Sequence, residues 1–349
     1  MKSYQIVEWG QPLRLLERET PVPSGAEVLV RVRACGICHS DVHIGDGHFD
    51  LGEGRRIALG DLGATLPFTM GHEIVGVVAA VGPDATASVG MPCVVYPWIG
   101  CGQCAQCAHG LELNCGAMRS LGTRQAGGYS DHVLVPHSRY LVAYGDLDPH
   151  FAATCACSGL TAYSALKKLP DCTASDTVVL IGAGGLGLAA LGLVRHLTPA
   201  RIVVADIDPA KLELARKLGA DGILNTSDPD AVASLRSMSG GAPSALVDFV
   251  GSAGTVDFAM KVVAKGGTVI VVGLFGGSLS VSTVLLPIRN LTLRGSYVGT
   301  LAEMEALLSL IRAQRIEPLP LSLRSMEDVN EALSDLREGR VEGRIVAVL

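Results

Sequence analysis

The residues able to do chemistry in this sequence fall into three groups. Cys101, Cys104, Cys107 and Cys115 follow a C-x2-C-x2-C-x7-C spacing, four thiols within fifteen residues. Thiolates this close can close a tetrahedral shell around one zinc ion, leaving no position for a substrate. A pair of disulfides, or plain apolar burial, would use the same residues differently. The second group is scattered: Cys38, His72, Glu73 and Cys157. Three ligands from separate segments, with a fourth position open, are what a catalytic zinc needs. Each of these residues is ambiguous alone, since a single buried cysteine is usually packing. Glu73 could reach the metal from behind or serve as an exchangeable fourth ligand, and Asp41 could accept the His72 ring N–H and fix its tautomer. The third group is Gly182-Ala183-Gly184-Gly185-Leu186-Gly187, with Asp206 nineteen residues past Gly187. Such glycines let a backbone approach a pyrophosphate at a helix N-terminus. The carboxylate then accepts from the adenosine ribose hydroxyls and repels a 2′-phosphate, which favours NAD over NADP.

These groups must be positioned by two kinds of scaffold. The first third of the chain is β-rich. Glu27–Arg33 alternates with period two, and Ile74–Val81 and Cys93–Tyr96 are further strands between Gly/Pro turns. Gly45–Pro67 is read as an exposed insertion, and Ala152–Leu169 as a helix that carries Cys157 and Thr161 on one face. From Thr177 the pattern changes. Val178–Ile181 is a continuous apolar strand of the doubly buried type, followed by the glycine loop and an apolar helix. The β-α-β-α alternation that follows, through Arg201–Asp206, Ala245–Val250 and Gly267–Gly273, implies a doubly wound parallel sheet. The tail holds two helices and the strand-like Gly343–Val348, expected to return to the first domain.

The 349 residues are enough for two domains, and 48% hydrophobic content argues against disorder. A net charge of −6 with no long basic run argues against nucleic acid as a partner. No membrane span is expected, because Thr177–Val194 is broken by glycines and starts as a strand. Ten cysteines without an export signal point to a reducing, cytoplasmic setting with metal-bound or free thiols.

Gly36-Ile37-Cys38-His39-Ser40-Asp41-Val42-His43, Gly71-His72-Glu73, the four-cysteine lobe, Cys157–Tyr163, the glycine loop and Gly343-Arg344 stand in the order seen in zinc-dependent medium-chain alcohol dehydrogenases. The chain resembles that family over nearly its whole length. The resemblance implies a GroES-like β-barrel catalytic domain over 1–155 and 297–349, with a structural-zinc lobe near 96–118. It implies a Rossmann NAD-binding domain over 156–296. It further implies two zinc ions per chain, one held by Cys38, His72 and Cys157 with Glu73 behind it, the other by Cys101, Cys104, Cys107 and Cys115. By the same resemblance Ser40 binds the substrate hydroxyl and starts a proton relay that passes a nicotinamide-ribose hydroxyl to His43. His39 and Arg344 would contact the pyrophosphate, Thr161 and Leu186 would back the nicotinamide, and Asp206 and Lys211 would face the adenosine ribose. Gly182, Gly184, Gly185, Gly187 and Gly273 complete the expected cofactor contacts.

The expected activity is reversible hydride transfer between a primary or secondary alcohol and NAD. Zinc acts there as a Lewis acid that lowers the pKa of a bound hydroxyl, and His43 is a group able to titrate near neutral pH. His48, Phe49 and Trp98 flank the zinc segments and are the expected substrate-pocket residues, although Trp98 equally suits the core. The interval from His43 to His72 exceeds that of the simplest family members, so the extra loop Asp46–Thr65, with Arg55, Arg56 and Asp61, either reshapes the substrate mouth or is merely solvated. A polyol or formaldehyde dehydrogenase on the same scaffold is the alternative. A nucleotide-binding protein that has lost catalysis is disfavoured by the intact Cys38, Ser40, His43, His72 and Cys157. Gly277–Leu286 and Leu291–Gly299, expected as strands, would pair across a two-fold axis in a homodimer or homotetramer.

Overall fold

A computed structural model describes all residues from Met1 to Leu349. Its contacts divide the chain into two units: Met1–Phe49, Ile57–Leu160 and Gly299–Leu349 form one, Asp50–Arg56 and Thr161–Val298 the other.

The first unit is built on the long strand Val28–Ile37. Val28, Val30 and Val32 are buried while Arg31 and Arg33 are exposed, as the alternation predicts. This strand pairs antiparallel with Glu73–Val81 on one side. On its other side it takes His132–Val135 along its first half and Arg344–Val348 along its second. The sheet continues outward through Pro92–Val95 and Leu141–Val142 at one edge and Leu321–Ser325 at the other. A separate three-stranded sheet joins Arg14–Glu17, Lys2–Ile6 and Phe68–Thr69. The register places Gly36 opposite Glu73. A Cβ at Gly36 would overlap the Glu73 carboxylate, so only glycine lets that acid lie flat across the strand.

One expectation is refined and one corrected here. The stretch Asp46–Thr65 is largely exposed, as the solvated reading expects, but it is not irregular. It contains a two-stranded sheet, His48–Gly52 with Arg55–Ala58, and buries Leu59 and Ala64. Gly52 and Gly54 adopt φ of 81° and 74°, which supplies the tight return between the strands. Nor is Ala152–Leu169 one regular helix. An α-helix over Pro149–Thr154, with Asp148 capping the Phe151 N–H, passes into a π-turn over Cys155–Gly159 and then an α-helix over Leu160–Leu166. In the π-turn the Leu160 N–H reaches back to the Cys155 carbonyl. Such widened turns recur at functional sites.

The second unit is a six-stranded sheet in the order Gly222–Asn225, Arg201–Asp206, Thr177–Ile181, Ala245–Asp248, Thr268–Val271, Thr292–Gly295. Every neighbouring pair is parallel. The chain therefore runs outward in one direction from Thr177–Ile181, returns, and runs outward in the other, the doubly wound topology whose switch point opens at the strands' carboxyl ends. Val179, Ile181, Val203, Leu246 and Val269 form the sheet's contribution to a core that Leu235, Ala259 and Val262 cover from the helices. Residues Gly277–Leu286, expected as a strand, form none; a short helix at Leu285–Arg289 follows instead. No helix is long and apolar enough to cross a membrane.

Candidate active site and metal centres

The lobe holds the closed set. The donor atoms of Cys101, Cys104, Cys107 and Cys115 all lie within 4.8 Å of one another. Cys104 and Cys107 sulfurs are 3.5 Å apart, and Cys101 lies 3.9 Å from Cys107. The N–H groups of Gln103 and Cys104 hold the Cys101 thiol down to about 6, poised as the thiolate that binds metal. Local geometry supports the loop. Buried Glu112 accepts the Gly100 N–H at 2.7 Å, the Tyr140 hydroxyl at 2.8 Å and Arg139 at 3.0 Å. It is an acid among the cysteines that sequence reading passed over; its position between Cys107 and Cys115 was the available signal.

The open set is assembled from three segments of the first unit. Cys38 follows the end of Val28–Ile37 and caps the helix His39–Asp46. Asp41, at the third position of that helix, accepts the Cys38 N–H at 2.9 Å through Oδ2. His72 enters just ahead of Glu73–Val81, and Cys157 sits in the middle of the π-turn. The donor atoms of Cys38, His72 and Cys157 also lie within 4.8 Å of one another. The sulfurs of Cys38 and Cys157 are 3.9 Å apart. Two thiolates on one tetrahedral zinc, with Zn–S near 2.3 Å, would be separated by about 3.8 Å. Two thiols and one imidazole at these spacings thus fit a three-ligand zinc with one position left over.

The surroundings tune these donors. Burial pulls His72 down, but the Asp41 carboxylate outweighs it and holds the imidazole well above the usual histidine range. His72 Nδ1 lies 3.2 Å from Asp41 Oδ1, both fully buried, which leaves Nε2 as the ligand nitrogen. The hydrogen bond from Cys157, reinforced by His72 against the cost of burial, holds Cys38 well below the usual thiol range. Tyr129 donates its hydroxyl to Asp41 Oδ2 at 2.7 Å. Separated from Asp41 by 88 residues, that tyrosine carried no sequence signal. Ser40 Oγ donates to Cys38 Sγ at 3.2 Å and stands 3.4 Å from His72 Nε2, against the donor atoms themselves.

Glu73 lies outside the donor cluster. It is fully buried, with Oε2 on Arg344 Nη2 at 2.5 Å and Oε1 accepting the Ser158 N–H at 3.2 Å. Burial pushes Glu73 up to about 7, against the pull of Arg344. Arg344 is itself buried, its guanidinium turned to Glu73. His43 lies one turn along the helix from His39, ring centroids 5.5 Å apart, and 5.7 Å from the Phe49 ring. Burial, then His39, hold His43 below the usual histidine range. His48 turns Nδ1 to the Asp46 carbonyl at 3.1 Å. Trp98 is 3% exposed, with its ring 5.4 Å from that of His72 and its indole N–H on the Ala156 carbonyl.

The second unit carries the glycine loop at the carboxyl end of Thr177–Ile181. Gly182 has a φ of 97° and donates to the Ala205 carbonyl at 2.7 Å. A Cβ at Gly187 would overlap the Gly182 carbonyl, so the helix Gly185–Val194 starts this close to the strand only because the residue is glycine. Gly184 caps that helix and is exposed. Unpaired N–H groups beside a glycine of this conformation fit a pyrophosphate. Asp206 Oδ2 accepts the Ala183 N–H at 2.6 Å and Oδ1 the Ile207 N–H at 2.7 Å, tying the loop to the end of the second strand. Leu186 and Lys211 are half-buried. A side chain on Gly273 would strike the Val250–Gly251 backbone. Thr161 is buried, and its hydroxyl has no hydrogen-bond partner.

Comparison with known proteins agrees with this geometry. Residues 24–146 match the alcohol dehydrogenase GroES-like domain, and residues 185–313 match the zinc-binding dehydrogenase domain. A NAD-dependent alcohol dehydrogenase of Sulfurisphaera tokodaii is 36% identical over 100% of both chains. A D-arabinose 1-dehydrogenase (NADP(+)) of Saccharolobus solfataricus is 30% identical over 99% of this chain and 97% of its own. Among solved structures, an alcohol dehydrogenase from Aeropyrum pernix superposes with a TM-score of 0.91 at 28% identity, covering 100% of each chain.

Proposed function

The chain belongs to the zinc-dependent medium-chain alcohol dehydrogenase family, and on that premise we propose that it oxidises a primary or secondary alcohol reversibly with NAD, using Ser40 and His43 to carry the proton. One observation carries the reading: Ser40 Oγ stands against a cluster of three donors, one fewer than a tetrahedral zinc takes. Cys38, His72 and Cys157 would hold the catalytic zinc, and the four lobe cysteines the structural one. When bound, zinc would supply Lewis acidity towards the alcohol oxygen and NAD the hydride acceptor.

The chain's own residues do the rest. Asp41 keeps the His72 ring in one tautomer and orientation. Ser40 Oγ takes up the hydroxyl proton as the alcohol is oxidised and gives up its own proton in the direction of His43. His43, half-buried and held below the usual histidine range, stays neutral near pH 7 and accepts that proton for release to solvent. Phe49 beside His43, with His48 next to it in the chain, and Trp98 beside His72 are the side chains available to line a substrate pocket. Asp206, at the end of the strand after the glycine loop, supports NAD because its carboxylate repels a 2′-phosphate.

All ten cysteines are unpaired with one another, which supports a reducing, cytoplasmic setting. The edge strand Thr292–Gly295 is exposed along its length, and Phe275, Val284, Ile288 and Leu293 expose apolar surface. An open edge flanked by apolar residues supports a homodimer, or a homotetramer of dimers.

The test is a panel of aliphatic, aromatic and polyhydroxy alcohols, including D-arabinose, read by absorbance of the reduced cofactor with NAD and with NADP. Turnover of simple alcohols with NAD, abolished in Cys38→Ser while NAD still binds, is the expected result. Turnover retained in that variant would refute the metal role. Preference for a pentose with NADP would move the enzyme to the sugar dehydrogenases.

A further inference from the structure

Two of the three donors of the open site are braced by one side chain. Trp98 follows the strand Pro92–Val95 and is 3% exposed. Its ring lies 5.4 Å from the His72 ring, tilted by 54°. Its Nε1–H donates to the carbonyl of Ala156 at 2.9 Å. Ala156 immediately precedes Cys157 inside the π-turn Cys155–Gly159, the irregular part of an otherwise α-helical run. The other side of the turn is held by Glu73, which accepts the Ser158 N–H at 3.2 Å. Both peptide neighbours of Cys157 are therefore fixed from outside the helix.

We propose that Trp98 is a positioning residue of the open metal site: its indole N–H fixes the Cys157 π-turn and its ring backs the His72 imidazole, so that one side chain sets the distance between two ligands. A widened turn has a poorer hydrogen-bond ladder than an α-helix and relies on outside partners to keep one geometry. An indole supplies a donor at the end of a rigid plane, which phenylalanine at the same position would not. This function is distinct from lining a pocket. It acts on the metal through Cys157 and His72 rather than on the alcohol, and it rests on Cys157 being a ligand.

The experiment uses zinc-loaded enzyme with Trp98→Phe and, to keep ring shape and burial, 3-benzothienylalanine in place of Trp98, in which sulfur replaces the N–H. Zinc release to an excess of chelator is followed per chain, and the open site is refilled with cobalt to record its thiolate charge-transfer bands. Loss of an orienting contact around a metal ligand costs about 10–100-fold in metal affinity. Both variants are expected to lose the open-site metal faster by about that factor, to shift the cobalt bands, and to keep the lobe metal at the parent rate. Unchanged release and unchanged bands, with KM altered only between alcohols of different size, would overturn the inference and leave Trp98 as a pocket wall. A parent enzyme that holds only the lobe metal would overturn the ligand assignment and the inference together. A parent that holds both while the benzothienyl variant is silent would overturn the inference alone.

Discussion

Arg344 and Glu73 form a buried ion pair, with side-chain exposures of 7% and 0% and a separation of 2.5 Å. Replacing Arg344 by leucine keeps much of its volume and removes its charge. Glu73 would then retain only the Ser158 N–H at 3.2 Å. Breaking such a pair by deleting one partner costs about 3–5 kcal/mol, mostly the penalty of an uncompensated buried charge. In a unit of roughly 200 residues each kcal/mol moves Tm by about 2–4 °C, so Arg344→Leu should melt about 6–20 °C below the parent. The direction of the Glu73 shift sharpens the test. Burial already raises this carboxyl to about 7 with Arg344 in place. A folded pKa above the unfolded one means stability is lost as pH rises through the folded value. Without Arg344 the pKa rises further, so the deficit against the parent should grow from pH 6 to pH 9. Adding Glu73→Gln removes the stranded charge while keeping an oxygen for Ser158, and should recover most of the loss. Differential scanning calorimetry of the four proteins of this cycle decides it. A single variant within about 1 kcal/mol of the parent, or a double variant no better than the single, would refute the argument that the pair is a mutual neutralisation.

Two further outcomes follow from the metal and relay residues. Cys104→Ser should lower the lobe's metal content and the melting temperature or assembly state before it touches the chemical step, measured by metal analysis, calorimetry and kcat; normal stability with selective loss of kcat would reverse the division between closed and open sites. His43 is held below the usual histidine range by burial and His39. Its neutral form therefore persists below about pH 6.5, the unperturbed value, and the acidic limb of kcat/KM for alcohol oxidation should lie there. His43→Gln should abolish that limb and slow turnover at low pH, with partial rescue by imidazole buffer; an unchanged profile would remove His43 from the relay. The same depressed pKa makes protonation of His43 cost folding stability as pH falls below the unperturbed value.

Features written in contiguous residues are legible in the sequence. The strand, glycine loop and helix over Thr177–Val194 announce the second unit because its strands follow one another with their helices between, and the first of them is continuously apolar over Val178–Ile181. The lobe cysteines are legible for the same reason. The open site is harder, because Cys38, His72 and Cys157 each look like packing alone, and only the family order of the segments singles them out. What the sequence did not disclose are contacts made across long separations: Tyr129 on Asp41, Arg344 on Glu73 and Trp98 on Ala156. Nor could helical periodicity reveal the π-turn, since one residue of slippage leaves the apolar pattern of Ala152–Leu166 nearly intact. The exposure of the insertion is legible in its glycines and charges, while the burial of Leu59 and Ala64 is a tertiary fact.

The strand Arg344–Val348 lies inside its sheet, between Val28–Ile37 and Leu321–Ser325. During synthesis its place beside residues 34–37 stays empty until some three hundred more residues have been made. The parallel sheet of the second unit draws all six strands from residues 177–295 and has no such wait. Maturation therefore has an order. The nucleotide fold can form on the ribosome, while Glu73 gains its counter-charge only when translation reaches Arg344. Metal delivered earlier would meet the lobe cysteines in a formed loop and the open site in an unfinished one.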